Sequence, residues 1–162
     1  MRSKPVRLTV FLLTLSCPIA AISAMVPVSN CYYKAAKDYG IDADLLIAIG
    51  IKESRLNNQA VNRSSFDYCQ MQVNRTHKNE LSKFGINPTE LVNKPCTCIY
   101  TGAWVLAKFF KQYGANWNTV GMYNAGAKNT PRLNKIRQNY SNDIKAIYTV
   151  LKRQKQETKP YH

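Results

Sequence analysis

Ile99-Tyr-Thr-Gly102-Ala103-Trp-Val-Leu106-Ala-Lys-Phe109-Phe110-Lys-Gln-Tyr113-Gly114 is the stretch that decides the fold class. Ile99, Gly102, Ala103, Leu106, Phe109, Phe110 and Tyr113 recur at i, i+3, i+4, i+7, i+10, i+11 and i+14, the stripe of an amphipathic helix, and Gly114 supplies the stop. Outward from it the same period continues. Residues 117–125 read as a short helix closed by Gly126, and Ile144, Ile147, Tyr148 and Leu151 mark a last helix beginning after Ser141 or Asn142. Towards the N-terminus, Ser29 or Asn30 is placed to cap a helix to Tyr39, with Gly40 as its left-handed end, and Asp42 to cap a second from Leu45 to about Ser54. Asn87-Pro88-Thr89-Glu90 joins a cap, a proline at the first helical position and a third-position Glu, so another short helix starts there. Strand alternation is nearly absent, and residues 64–74 read as a loop or small hairpin. Residues 152–162 carry charge without an apolar stripe and read as a basic, frayed tail. The chain is expected to be all-α, a single domain of short helices.

Length and composition agree. At 162 residues the chain has one domain's worth of sequence, and 45% apolar content with 7 Gly and 7 Pro excludes a disordered or collagen-like polymer. A mean hydropathy of -0.35 argues against several membrane spans. Arg2, Lys4 and Arg7 precede an apolar run at 8–15, and small residues up to Ala24 follow, the layout of a secretory signal peptide over 1–24. Cleavage fits after Ala24, with Ser23 and Ala21 as alternatives. A lipid anchor at Cys17 fits poorly, because Thr14-Leu15-Ser16 departs from the small-residue box of such signals. The domain then spans 25–151, is exported to the periplasm and keeps no stable membrane insertion.

The charge balance is strongly basic, 23 Lys+Arg against 9 Asp+Glu, and only three of the bases belong to the leader. Such a field draws the protein to an anionic polymer such as a cell wall or lipid surface, or simply keeps it soluble. Nucleic acid is the weakest partner, since export removes the chain from it and no nucleic-acid motif appears. Behind the leader stand Cys31, Cys69, Cys96 and Cys98, an even set in a small exported chain, which reads as two disulfides of open connectivity. Cys96-Thr97-Cys98 lacks the two-residue gap of a zinc knuckle, and His77 and His162 are isolated, so no metal is expected.

One polar residue breaks an apolar face. Leu46, Ile49 and Gly50 mark the inward stripe of the second helix, and its next position is Glu53. Burial disfavours the charged carboxylate, so such a group keeps its proton to higher pH, as a general acid must. The alternative is a helix-end Glu that turns to solvent or pairs with Lys52 or Arg55.

Three segments around it carry a resemblance: Glu53-Ser54-Arg55-Leu56-Asn57, then Asp67-Tyr68-Cys69-Gln70-Met71-Gln72-Val73-Asn74, then Gly121-Met122-Tyr123-Asn124-Ala125-Gly126. In that order they resemble the Glu-Ser, Gly-Leu-Met-Gln-Ile-Asn and Ala-Tyr-Asn-Ala-Gly motifs of lytic transglycosylases with the goose-type lysozyme (SLT) fold. The likeness is nearest to the small specialised enzymes of conjugation, secretion and pilus systems. The resemblance implies an all-α lysozyme-like domain that acts on peptidoglycan without a cofactor, in the service of such an apparatus. It makes Glu53 the catalytic acid and base, Tyr123 the hydroxyl that holds its carboxyl, and Gln72 an amide on the sugar. Ser54, Asn74 and Asn124 are implied to shape or contact the glycan site.

Two departures stand out. Cys69-Gln70 replaces the family's Gly-Leu, and Cys98 replaces an Asn. Set against the family, the two extra cysteines imply a Cys69–Cys98 bridge beside Cys31–Cys96. Hydrolytic glycosidases use two carboxyls roughly 5–9.5 Å apart, whereas only Glu53 matches the family. Asp67 is the nearest second acid, and it reads more readily as a turn residue. Asp38, Asp42 and Asp44 read as surface or capping groups. Two other classes stay in view: a catalytically weak peptidoglycan-binding assembly protein, which Cys69 and Gln70 favour, and a basic membrane-active factor.

Overall fold

The computed structural model describes residues 28–157; the leader at 1–24, Cys17, His162 and the last residues of the tail lie outside them. The order is α1 (Val28–Tyr39), α2 (Ala43–Ser54), β1 (Val61–Asn62), β2 (Asp67–Tyr68), β3 (Val73–Asn74), α3 (Lys78–Leu81), α4 (Pro95–Tyr113), α5 (Trp117–Ala125) and α6 (Pro131–Glu157), with short 3₁₀ helices between β3 and α4. The fold is all-α and lysozyme-like, with one small sheet.

Local chemistry sets most boundaries. Gly40, at φ +64°, closes α1, and the Asp42 carboxylate accepts from the Asp44 N–H at 2.9 Å to open α2. Asn87 caps its segment as expected, yet Pro88–Asn93 is a 3₁₀ helix, cut short by Pro95. Residues 64–74 contribute to an antiparallel ribbon that pairs Val61 with Tyr68 and Tyr68 with Val73.

Four expectations need correction. Helix α1 already includes Val28, ahead of the expected caps. The far end of the α4 stripe leaves the core: Ile99, Ala103 and Leu106 are fully buried while Tyr113 is exposed. Helix α6 begins ten residues before the Ser141 cap and runs through Lys152 to Glu157. Its charged end is ordered by ion pairs that apolar periodicity does not register. Lys152 meets Asp42 at 2.7 Å and Asp44 at 3.1 Å, and Lys155 meets the other Asp44 oxygen. Asp44 is thus a buried anchor between α2 and α6, where a surface or capping group was expected.

The core gathers Leu46 and Ile49 of α2, Ile99 and Leu106 of α4, and Ile144 of α6 around Met71 from the loop after β2. Gly102 admits that loop, because a Cβ there would lie 2.8 Å from the Met71 side chain. Two bridges fasten it: Cys31–Cys96 joins α1 to α4, and Cys69–Cys98 joins the loop to α4. Closing spans of 65 and 29 residues is worth roughly 4 kcal/mol each in the chain-entropy account. Full reduction is therefore expected to lower the thermal midpoint by more than about 10 °C in calorimetry; an unchanged midpoint would contradict this.

Candidate active site

Glu53 sits in the last turn of α2, where the helix is ended by side-chain-bearing residues in the left-handed region, Arg55 at φ +57° and Leu56 at φ +64°. Each such conformation costs on the order of 1 kcal/mol, and together they turn the chain out just after the carboxylate. The stripe of Leu46 and Ile49 runs into the protein, and Glu53 lies partly buried at its open end.

A cleft of about 550 Å³ opens over it, lined by Glu53, Asp67, Gln72, Asn74, Tyr123 and Asn124, with His77 and Val105 at its wall. Burial pushes the Glu53 carboxyl up to about 7; the Tyr140 hydroxyl pulls it down, the Asp67 charge pushes it up and Lys52 pulls it down. Lys52 itself pairs with Asp143 at 2.7 Å, and Glu53 has no ion pair among the described residues. The acid therefore faces the cleft with its proton available near neutral pH.

Tyr140 holds it: its hydroxyl donates to Glu53 Oε1 at 2.5 Å. This is the part the sequence reading missed. The resemblance assigned the task to Tyr123, whose hydroxyl donates instead to the Met71 carbonyl at 2.7 Å. Tyr123 thus ties α5 to the core loop while its ring lines the cleft. The signal for Tyr140 was present, since it lies one turn before Ile144 on the same face of α6.

The remaining residues divide. Asn124 is exposed on the cleft wall. The Gln72 amide nitrogen donates to the carbonyls of Cys69 at 2.9 Å and Ala60 at 3.4 Å, which leaves its oxygen to accept from a ligand. Asn74 caps the next turn through Thr76 N–H and donates to Asp67 Oδ1 at 2.6 Å. Asp67 also accepts from Ser65, so both its oxygens are engaged by neighbours in the ribbon. Ser54 is turned away from the cleft: it donates to the Gln70 carbonyl at 2.9 Å and accepts from Asn57 N–H, fixing the loop and not a ligand. His77 lies edge-on to Trp104, and burial lowers its pKa, with Glu80 opposing.

The two departures are accommodated. Cys69 adopts φ +64°, the conformation a glycine takes freely, and its bridge to Cys98 pins it there. Gln70 is buried with both ends satisfied, accepting from the Tyr32 hydroxyl at 2.8 Å and donating to Asn58 at 3.1 Å.

Residues 30–148 match the family model of the transglycosylase SLT domain. The chain therefore belongs to this family, and it is an enzyme of the lytic transglycosylase class. Among its relatives, an Escherichia coli K12 protein named X polypeptide is 44% identical over 130 residues, covering 78% of this chain and 77% of that one. Invasion protein IagB of Salmonella typhi is 35% identical over 81% of this chain and 82% of its own, and protein IpgF of Shigella flexneri is 38% identical over 74% and 80%. The lytic transglycosylase Slt of Pseudomonas aeruginosa, solved as an inactive Glu-to-Gln mutant, superposes with a TM-score of 0.62 at 22% identity. That match covers 81% of this chain and 24% of the longer Slt chain.

The Tyr140 hydroxyl favours the ionised carboxylate, so removing it raises the Glu53 pKa further. With Glu53 as acid, activity is present below about 7 and falls as pH rises through that value. Tyr140→Phe is expected to move this alkaline limb upward while lowering kcat by about tenfold or more through lost positioning. A pH–rate profile checks it, and an unmoved limb would contradict the contact.

Proposed function

We propose that the protein cleaves the β-1,4 bond between N-acetylmuramic acid and N-acetylglucosamine in peptidoglycan and leaves a 1,6-anhydromuramic end. Glu53 gives its proton to the bridging oxygen as the C1–O bond breaks, and that oxygen leaves with the bonding pair on N-acetylglucosamine. The resulting carboxylate takes the proton of the muramyl 6-hydroxyl as its oxygen bonds to C1. Atoms balance without water, and one carboxyl serves both steps.

The observation that carries this reading is a single cleft carboxyl raised to about 7 beside an Asp67 whose oxygens are already occupied. Most glycoside hydrolases use a second carboxylate to activate water or attack the sugar, and Asp67 is instead tied into the ribbon by Asn74 and Ser65. Gln72, Tyr123 and Asn124 then face the glycan, and Ser54 and Asn74 brace the loop. The accommodation of Cys69 and Gln70 in an intact loop supports turnover over a purely binding role.

In this reading the catalytic domain runs from residue 25 through the end of α6 at Glu157, released into the periplasm after removal of 1–24, and local cleavage opens the wall for a secretion, conjugation or pilus apparatus. The invasion-protein name of IagB supports that setting.

Incubating the mature protein with peptidoglycan is expected to release anhydromuropeptides, identified by mass spectrometry, and Glu53→Gln to reduce release by at least about 10³-fold. Reducing ends alone would make it a hydrolase, and an active Glu53→Gln protein would overturn the site.

A further inference from the structure

Lys52 stands next to Glu53 in the last turn of α2, and it is the one cation among the described residues whose field bears on the acid. No lysine or arginine among the described residues lines the cleft. The other groups around Glu53 bring no positive charge at neutral pH. The ribbon presents the Asp67 carboxylate, the turn after it His77 with its pKa lowered by burial, α5 the Tyr123 phenol and α6 the Tyr140 phenol, while α4 presents Val105 and Phe109. An ammonium paired with Glu53 would favour the ionised carboxylate and take from it the proton that catalysis needs. Where the Lys52 side chain rests therefore matters to the chemistry.

Asp143 of α6 sets that place. Lys52 Nζ donates to Asp143 Oδ2 at 2.7 Å, and neither residue lines the cleft. In α6, Tyr140 and Asp143 are three residues apart and share a face. In α2, Lys52 and Glu53 are adjacent, so their side chains diverge by about 100° around the helix. The α6 pair spans that divergence: Tyr140 meets Glu53 at the cleft, and Asp143 meets Lys52 towards solvent. The two side chains of the ion pair are 38% and 54% exposed, so the pair adds little stability. Its effect is on the location of a charge. A four-carbon stem leaves an ammonium free to swing, and the Asp143 carboxylate both holds it off the acid and offsets its field.

We propose that Asp143 is a positioning residue for catalysis, which holds the Lys52 ammonium away from Glu53 and keeps α2 and α6 in the register that brings Tyr140 to the carboxyl. This rests on Glu53 acting as the acid, as proposed above, and extends the site to a residue that touches neither the carboxyl nor the cleft.

The test is the sign of two opposite displacements. Asp143→Asn releases the ammonium and is expected to move the alkaline limb of the pH–rate profile down by about half a pH unit, which well above the limb is about a threefold loss of rate. Lys52→Met removes the cation and leaves the Asp143 charge, so the limb is expected to move up by a similar amount. The double variant should return the limb close to its original place, and about 1 M salt should shrink both single displacements. A pair that served only as a helix clamp would lower kcat alike in both variants and move neither limb, and that result, or two displacements of one sign, would overturn the proposal. NMR titration of the Glu53 carboxyl in the same proteins reads the shifts without substrate. Opposite shifts there in proteins that release no anhydromuropeptides would overturn the activity and leave the role of Asp143 standing, so the two failures are distinguishable.

Discussion

The contact between the Tyr140 hydroxyl and Glu53 Oε1 joins the two helices on which the site depends. Helix α2 supplies the carboxyl proposed as the acid and α6 supplies the hydroxyl that holds it, so the carboxyl is placed only as well as the helices are. Two sets of charges follow that contact along α6. Lys52–Asp143 lies beside the site, and the buried Asp44 receives Lys152 and Lys155 further along. An exposed pair contributes little by itself. Asp44 is different, because its buried charge requires both lysines. The lysine-rich end of α6 is thereby structural, although it reads as a tail.

The loop over the cleft shows how an unfavourable substitution is absorbed. A side chain at φ +64° is disfavoured, and Cys69 is held there by a covalent bond to α4. A buried amide is costly when unpaired, and Gln70 finds Tyr32 and Asn58. Met71 packs on Gly102 and presents its carbonyl to Tyr123. Loop, α4 and α5 thus form one braced wall, and the acid side of the cleft is the α2–α6 pair facing it.

Much of this was legible because apolar period and caps are local signals. The α4 stripe, the Asp42 cap and the placement of Glu53 on a greasy face follow from spacing alone. The long-range polar contacts were not legible. Tyr140 sits in a stretch, Pro131 to Tyr140, in which only Leu133 and Ile136 interrupt the polar residues, and counting back from Ile144 through Tyr140 to them would have exposed the start of α6. Tyr123 and Ser54 went to backbone carbonyls, and a carbonyl leaves no mark on residue identity. Asp44 and Lys152 are separated by most of the chain, and their pairing appears only when α6 lies across α2.

Burial by the fold lets Glu53 keep its proton near neutral pH. The direct measurement is a carbon-detected NMR titration of the Glu53 side-chain carboxyl in the mature, oxidised protein. A midpoint near 7 is expected, well above the ordinary glutamate value of 4.5. A midpoint at the ordinary value would contradict it, because the carboxyl would then be ionised and unable to act as the acid.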